Sequence, residues 1–256
     1  MKKSMSFETH ACRRVYVTWA VVVGMLTVGI GGRQFQTKEQ FSQKEAAIVM
    51  VGMVSAEALL MPGGIRATDE NDVKEYLQVA QFNKPASTAL FGMLKEQYRR
   101  KDLEKPGQLG ILTEQDRRNM EEHGQRWNTM NGLLTSEARR VSPGKGAEWL
   151  SFGISLQFVN LGLAASQLQS HAITKELKLK LVRTILSSPI GRDLFTTGRK
   201  LPLPDKLRTA LDSAEGTDTS TLEGCALYTE HIGRVVRMTK AVMRQGPSSL
   251  NRFPDQ

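Results

Sequence analysis

The apolar positions of this chain gather into three long runs, and between them apolar residues recur at helical spacing. The first run, Val15 to Gly32, reads VYVTWAVVVGMLTVGIGG and holds no charge. The second, Ala46 to Ile65, reads AAIVMVGMVSAEALLMPGGI and carries one acid, Glu57. The third, Trp149 to Leu168, is also uncharged, but the amides Gln157, Asn160 and Gln167 interrupt it.

From Arg66 onward the period is that of helices. Thr68 and Asp69 can cap a helix that places Val73, Tyr76, Leu77 and Ala80 on one face, the i, i+3, i+4, i+7 pattern. Asn83-Lys84-Pro85 breaks it, and Ser87 to Glu104 follows with Leu90, Met93 and Leu94 inward, closed by Pro106-Gly107. Thr113 and Asp116 resemble a capping box ahead of a helix with Met120, Trp127, Met130 and Leu134 on one side. After the turn Ser142 to Gly146, the third run is predicted to be the central buried helix, because side-chain amides suit a core or a subunit interface better than lipid.

Beyond it, Leu177, Leu181 and Ile185 fit a helix, although LKLKL alone fits a strand. Pro189 and Gly191 end that element. Two prolines make Leu201 to Asp205 an extended link to a short helix with Leu207 and Leu211. Ser220 and Glu223 form a capping box for a final helix to about Arg244, which turns Leu222, Ala226, Ile232, Val235, Val236, Thr239 and Val242 inward. Gly246 to Gln256 reads as a polar tail. The expected fold is all-α: an N-terminal hydrophobic module of transmembrane type over 1–65, then an irregular multi-helix body over 66–256.

The case for a membrane anchor rests on the first run. At 1.5 Å per residue its eighteen residues make a helix of about 27 Å, close to the ~30 Å hydrocarbon core of a bilayer. Arg13, Arg14 and Arg33 bracket it, Tyr16 and Trp19 sit near one end, and Ala20 with Gly24 gives small-xxx-small spacing for close helix approach. Its β-branched Val21 to Val23 also fits a buried strand or core helix. Gly52 and Ala56 repeat the small-residue spacing in the second run. That run spans a membrane only if Glu57 is protonated or paired, since a mid-membrane carboxylate costs about 2.5–3.5 kcal/mol on insertion scales; a buried helix packed on the first run is the simpler expectation. The leader MKKSMSFETHACRR is basic and acid-poor, as organelle-targeting leaders are.

Charge and composition narrow the function further. The 256 residues carry 35 Lys+Arg against 26 Asp+Glu, a formal charge of +9. Cys12 and Cys225 are too few and too far apart for a disulfide scaffold, and His10, His123, His171 and His231 are scattered, so neither a metal site nor a cofactor is expected. Gly144-Lys145-Gly146 lacks the rest of a phosphate-binding loop, Gly29 to Gly32 lacks the dinucleotide fingerprint, and HExxH and GxSxG are absent. Cys225, beside Ala226, reads as a small buried hydrophobe, with His231 on the far side of the same helix. Glu121-Glu122-His123 reads as a solvated face.

Arg234, Arg237, Lys240 and Arg244 share about a third of the final helix's circumference, a basic stripe that is the candidate contact for anionic lipid or nucleic acid. Together these features lead to a non-catalytic accessory subunit of a multiprotein membrane complex, with the mitochondrial inner membrane as a fitting location. Its expected partners are other protein subunits and anionic lipid. The alternative is a viral nucleocapsid or matrix-like assembly protein whose basic helices meet RNA phosphates or lipid.

Overall fold

The computed structural model describes residues 41–60, 69–99, 114–167 and 174–254. The run Val15 to Gly32, with Ala20 and Gly24, lies outside them. Among the described residues every regular element is helical: α1 (Gln43–Leu60), α2 (Glu70–Val79), α3 (Lys84–Arg99), α4 (Glu114–Val141), α5 (Gly146–Gln167), α6 (Lys175–Ser187), α7 (Pro189–Lys200), α8 (Asp205–Glu215), α9 (Leu222–Gln245) and a closing 3-10 turn, Pro247–Arg252.

Helices α1 and α5 are apolar around their whole circumference, which a helix tolerates only when other elements surround it. They pack on each other; α2, α4 and α9 cover α1, while α4, α6, α7 and α9 cover α5. Ile48, Val49, Val51 and Val54 of α1 and Phe152, Leu156, Val159 and Leu163 of α5 are fully buried. Each such side chain contributes about 1.5–3 kcal/mol of transfer free energy. Glycines set the closeness of the pair. A Cβ at Gly52 would lie 2.2 Å from the Leu150 carbonyl oxygen, and one at Gly153 would lie 2.0 Å from that of Val49.

The second apolar run is therefore the middle of the body through Leu60. The compact unit that holds α1 runs from Phe41 to Gln256. Glu57 explains how a carboxylate tolerates that position: it is buried, and Gln157 Nε2 of α5 donates to its Oε1 at 2.6 Å. Asn160 Nδ2 in turn donates to Gln157 Oε1 at 3.2 Å, so one amide of the third run meets the buried carboxyl and a second holds that amide in place. No helix among the described residues is long and apolar enough to cross a membrane.

Both ends of α1 are tied to neighbours. At its start Lys44 Nζ donates to the Val141 carbonyl at 3.2 Å, Gln43 Nε2 to that of Met243 at 3.1 Å, and Phe41 packs on Trp149 at 5.1 Å between ring centroids. Near its end Trp127 Nε1 donates to the Ser55 carbonyl at 2.7 Å, and His123 Nε2 lies 3.0 Å from the Ala58 oxygen. In Glu121-Glu122-His123 the two acids are exposed as a solvated face requires, but His123 is half-buried against α1.

The α2–α3 corner turns at Gln81, whose φ is +59°, and Arg140 Nη2 of α4 holds its carbonyl at 2.7 Å. Glu137 completes the corner by accepting from Asn83 N at 3.1 Å and Nδ2 at 2.7 Å.

Local details depart from the sequence expectations at several points. The cap of α9 is Thr221, which accepts from Gly224 N at 3.0 Å; Ser220 instead donates through N and Oγ to Asp218, at 2.9 and 2.8 Å. In α9 the core is met by Cys225 and Tyr228, and Ala226 is exposed. The LKLKL stretch is helical in α6, with Val182 and Ile185 inward and Leu177 and Leu181 outward.

Candidate interaction surface

The basic stripe on α9 is largely engaged within the fold. Lys240 Nζ meets Asp72 Oδ2 of α2 at 2.6 Å, and Arg244 Nη2 meets Asp72 Oδ1 at 2.6 Å and Glu75 Oε2 at 2.8 Å. Burial pushes the Asp72 carboxyl up, but the Lys240 hydrogen bond and the charges of Lys240 and Arg244 outweigh it and hold the group below its ordinary range. Burial, then the Asp72 charge, pushes the Tyr76 hydroxyl above its ordinary range, and Lys240 Nζ sits 6.0 Å from the Tyr76 ring centroid. Arg234 Nη2 donates to the Pro254 carbonyl, which ties down the end of the chain. Arg237 is the exposed member without an ion pair among the described residues.

Of four candidate anion contacts, then, Lys240 and Arg244 clamp α2 to α9 and Arg234 holds the C-terminal segment. Spacing alone places these cations on one face but says nothing of what covers it. The packing residues Gly52 and Ala56 both lie inside the body, Gly52 against α5 and Ala56 buried. Cys225 is buried, and desolvation pushes its thiol up, which keeps it protonated and a poor nucleophile. His231 is buried on the other flank of the same core face. No group of three His, Cys, Asp or Glu among the described residues is placed to hold a metal ion.

A different surface stands out on α6, which the sequence pattern left undistinguished. Leu177 is 50% exposed and Leu181 37%, one helical turn apart. Lys175, Lys178, Lys180 and Arg183 share this short helix and form no ion pair among the described residues. Lys180 and Arg183 border a shallow groove of about 430 Å³ together with Glu176, Leu179, Thr184 and Ser187.

Glu176 is the one acid of α6, four residues before Lys180, a spacing that suits an ion pair. The two form no ion pair, and its own backbone N–H, then the Thr174 hydroxyl, hold the Glu176 carboxyl below the ordinary range. Asp218, ahead of α9, is likewise occupied: the Ser220 N–H and hydroxyl lower its carboxyl first, and the charge of Arg183 adds least. The cations of α6 thus stand beside exposed leucines, with Glu176 the one acid of the helix among them. No protein-family model, no curated protein and no solved structure is similar to this chain.

Proposed function

We propose that the chain is a non-catalytic subunit of a membrane-associated protein assembly. The observation that carries this reading is a pairing: an uncharged apolar segment, Val15 to Gly32, bracketed by arginines, precedes a helical body whose charged clusters hold helices to one another. Glu137 with Arg140 and Asn83, and Asp72 with Lys240 and Arg244, are charged frameworks that join helices to one another. The basic, acid-poor leader fits the mitochondrial inner membrane as the location. The engagement of Lys240 and Arg244 weighs against the nucleic-acid alternative, since it leaves the stripe without a continuous phosphate-facing surface.

Alkaline carbonate extraction followed by native electrophoresis in mild detergent tests the reading. The chain is expected in the membrane pellet and in a species well above its own 28.5 kDa. Release into the supernatant, or migration as a lone 28.5 kDa chain, overturns it.

A further inference from the structure

We infer that the exposed face of α6 is a docking surface for an anionic phospholipid bilayer, with Leu177 and Leu181 entering the headgroup boundary and Lys180 and Arg183 meeting lipid phosphates. This rests on the membrane-assembly reading in that it supplies a contact between the body and the bilayer, but it stands on different residues from the proposed anchor.

The geometry is that of an interfacial helix. At about 100° per residue, Leu177 and Leu181 lie some 40° apart on the outer surface, and Lys180 begins a basic flank about 60° from Leu177. Val182 and Ile185, about 140° and 80° round from Leu177, hold the adjoining side in the core, which leaves this face outward. Two leucines with flanking cations are what a helix lying in the membrane plane presents: apolar side chains for the acyl boundary, and ammonium and guanidinium groups within reach of the phosphates. Glu176 is the one acid among the four cations of α6, so the helix keeps a positive excess, and Asp218 is engaged by the Ser220 N–H and hydroxyl. The groove beside Lys180 and Arg183 offers a recess for a headgroup. RNA would use the cations and leave the leucines in water; an anionic bilayer uses both.

Amine acylation of the full chain, read by mass spectrometry at each lysine, tests the surface. The chain is mixed with vesicles of phosphatidylcholine alone, with equimolar phosphatidylcholine and phosphatidylglycerol, or with single-stranded RNA. The inference expects Lys180 to react about fivefold more slowly on the anionic vesicles than on the zwitterionic ones, with exposed Lys84 unchanged. Leu177→Ser with Leu181→Ser should abolish the difference while helicity by circular dichroism is retained. Should that pair fail to fold, Arg183→Gln, at an exposed position, should weaken the protection of Lys180 on the anionic vesicles.

Equal rates on the two vesicle types overturn the inference, as does protection by RNA without protection by vesicles. The outcome is separable from that of carbonate extraction. Lys180 protection in a chain released by carbonate would sustain the docking face and remove the anchor, whereas pelleting with unprotected Lys180 would do the reverse.

Discussion

At Gly52 and Gly153 a single hydrogen in place of a side chain decides how two helices meet. Any Cβ there collides with backbone, which cannot move aside as a flexible side chain does. Gly52→Ala is expected to lower unfolding free energy by about 2–3 kcal/mol in urea denaturation, the scale of overpacking in a dense core. Gly132→Ala provides the contrast: its Cβ would meet nothing within 4 Å on the exposed side of α4, so helix propensity should raise stability by up to about 1 kcal/mol. Similar effects from the two substitutions would contradict the close α1–α5 contact. Glu57 is the other residue on which the core depends. Gln157→Leu removes the 2.6 Å donor to its carboxylate and is expected to cost about 2–4 kcal/mol by the same measurement.

Among the elements, α2 is joined to α9 by a charge cluster, and this makes the joint sensitive to acid. Asp72 and Glu137 both have folded carboxyls held below their ordinary values of 3.8 and 4.5. For Glu137 the Arg140 hydrogen bond is the largest cause and outweighs desolvation. A carboxylate lowered on folding stabilises fully above its unfolded value and loses that contribution as pH falls through its folded one. The stability difference between the wild-type chain and Asp72→Asn, from urea midpoints, should therefore be constant above about pH 5 and shrink as the pH falls below 3.8. A difference that grows on acidification would contradict the cluster.

The elements also show what the pattern of the chain made readable. Asp69 caps α2, Asn83 marks the break before α3, and Trp149 lies in a buried helix, because each signal is local: a cap, a break and an apolar stretch. The direction of a face was less readable. KELKLKL carries leucines at both strand and helix spacing, and only the burial of Val182 and Ile185 turns Leu177 and Leu181 outward. The α9 stripe was visible as cations on one side, whereas its acids come from Asp72 and Glu75, more than 160 positions away in the chain. Neighbouring hydroxyls at 220 and 221 likewise left the α9 cap ambiguous by one residue. Thr221→Ala is expected to cost about 1 kcal/mol and Ser220→Ala clearly less, and the reverse order would contradict the Thr221 cap.

On the scale of the whole molecule, the second apolar run was readable as buried but not as belonging to the body. Its composition resembles a membrane-associated segment, and nothing in its period names α5, a hundred positions further on, as the partner that solvates Glu57. Once that partner is known, the division of the chain follows: residues from Phe41 onward make one packed unit, with α1 at its centre. The most direct test compares two shortened chains, one beginning at Phe41 and one at Arg66, by detergent-free size-exclusion chromatography and thermal denaturation. The chain from Phe41 should be monodisperse and melt cooperatively, while the chain from Arg66, stripped of α1, should aggregate or melt without a transition. A cooperative, monodisperse chain from Arg66 would contradict the central place of α1.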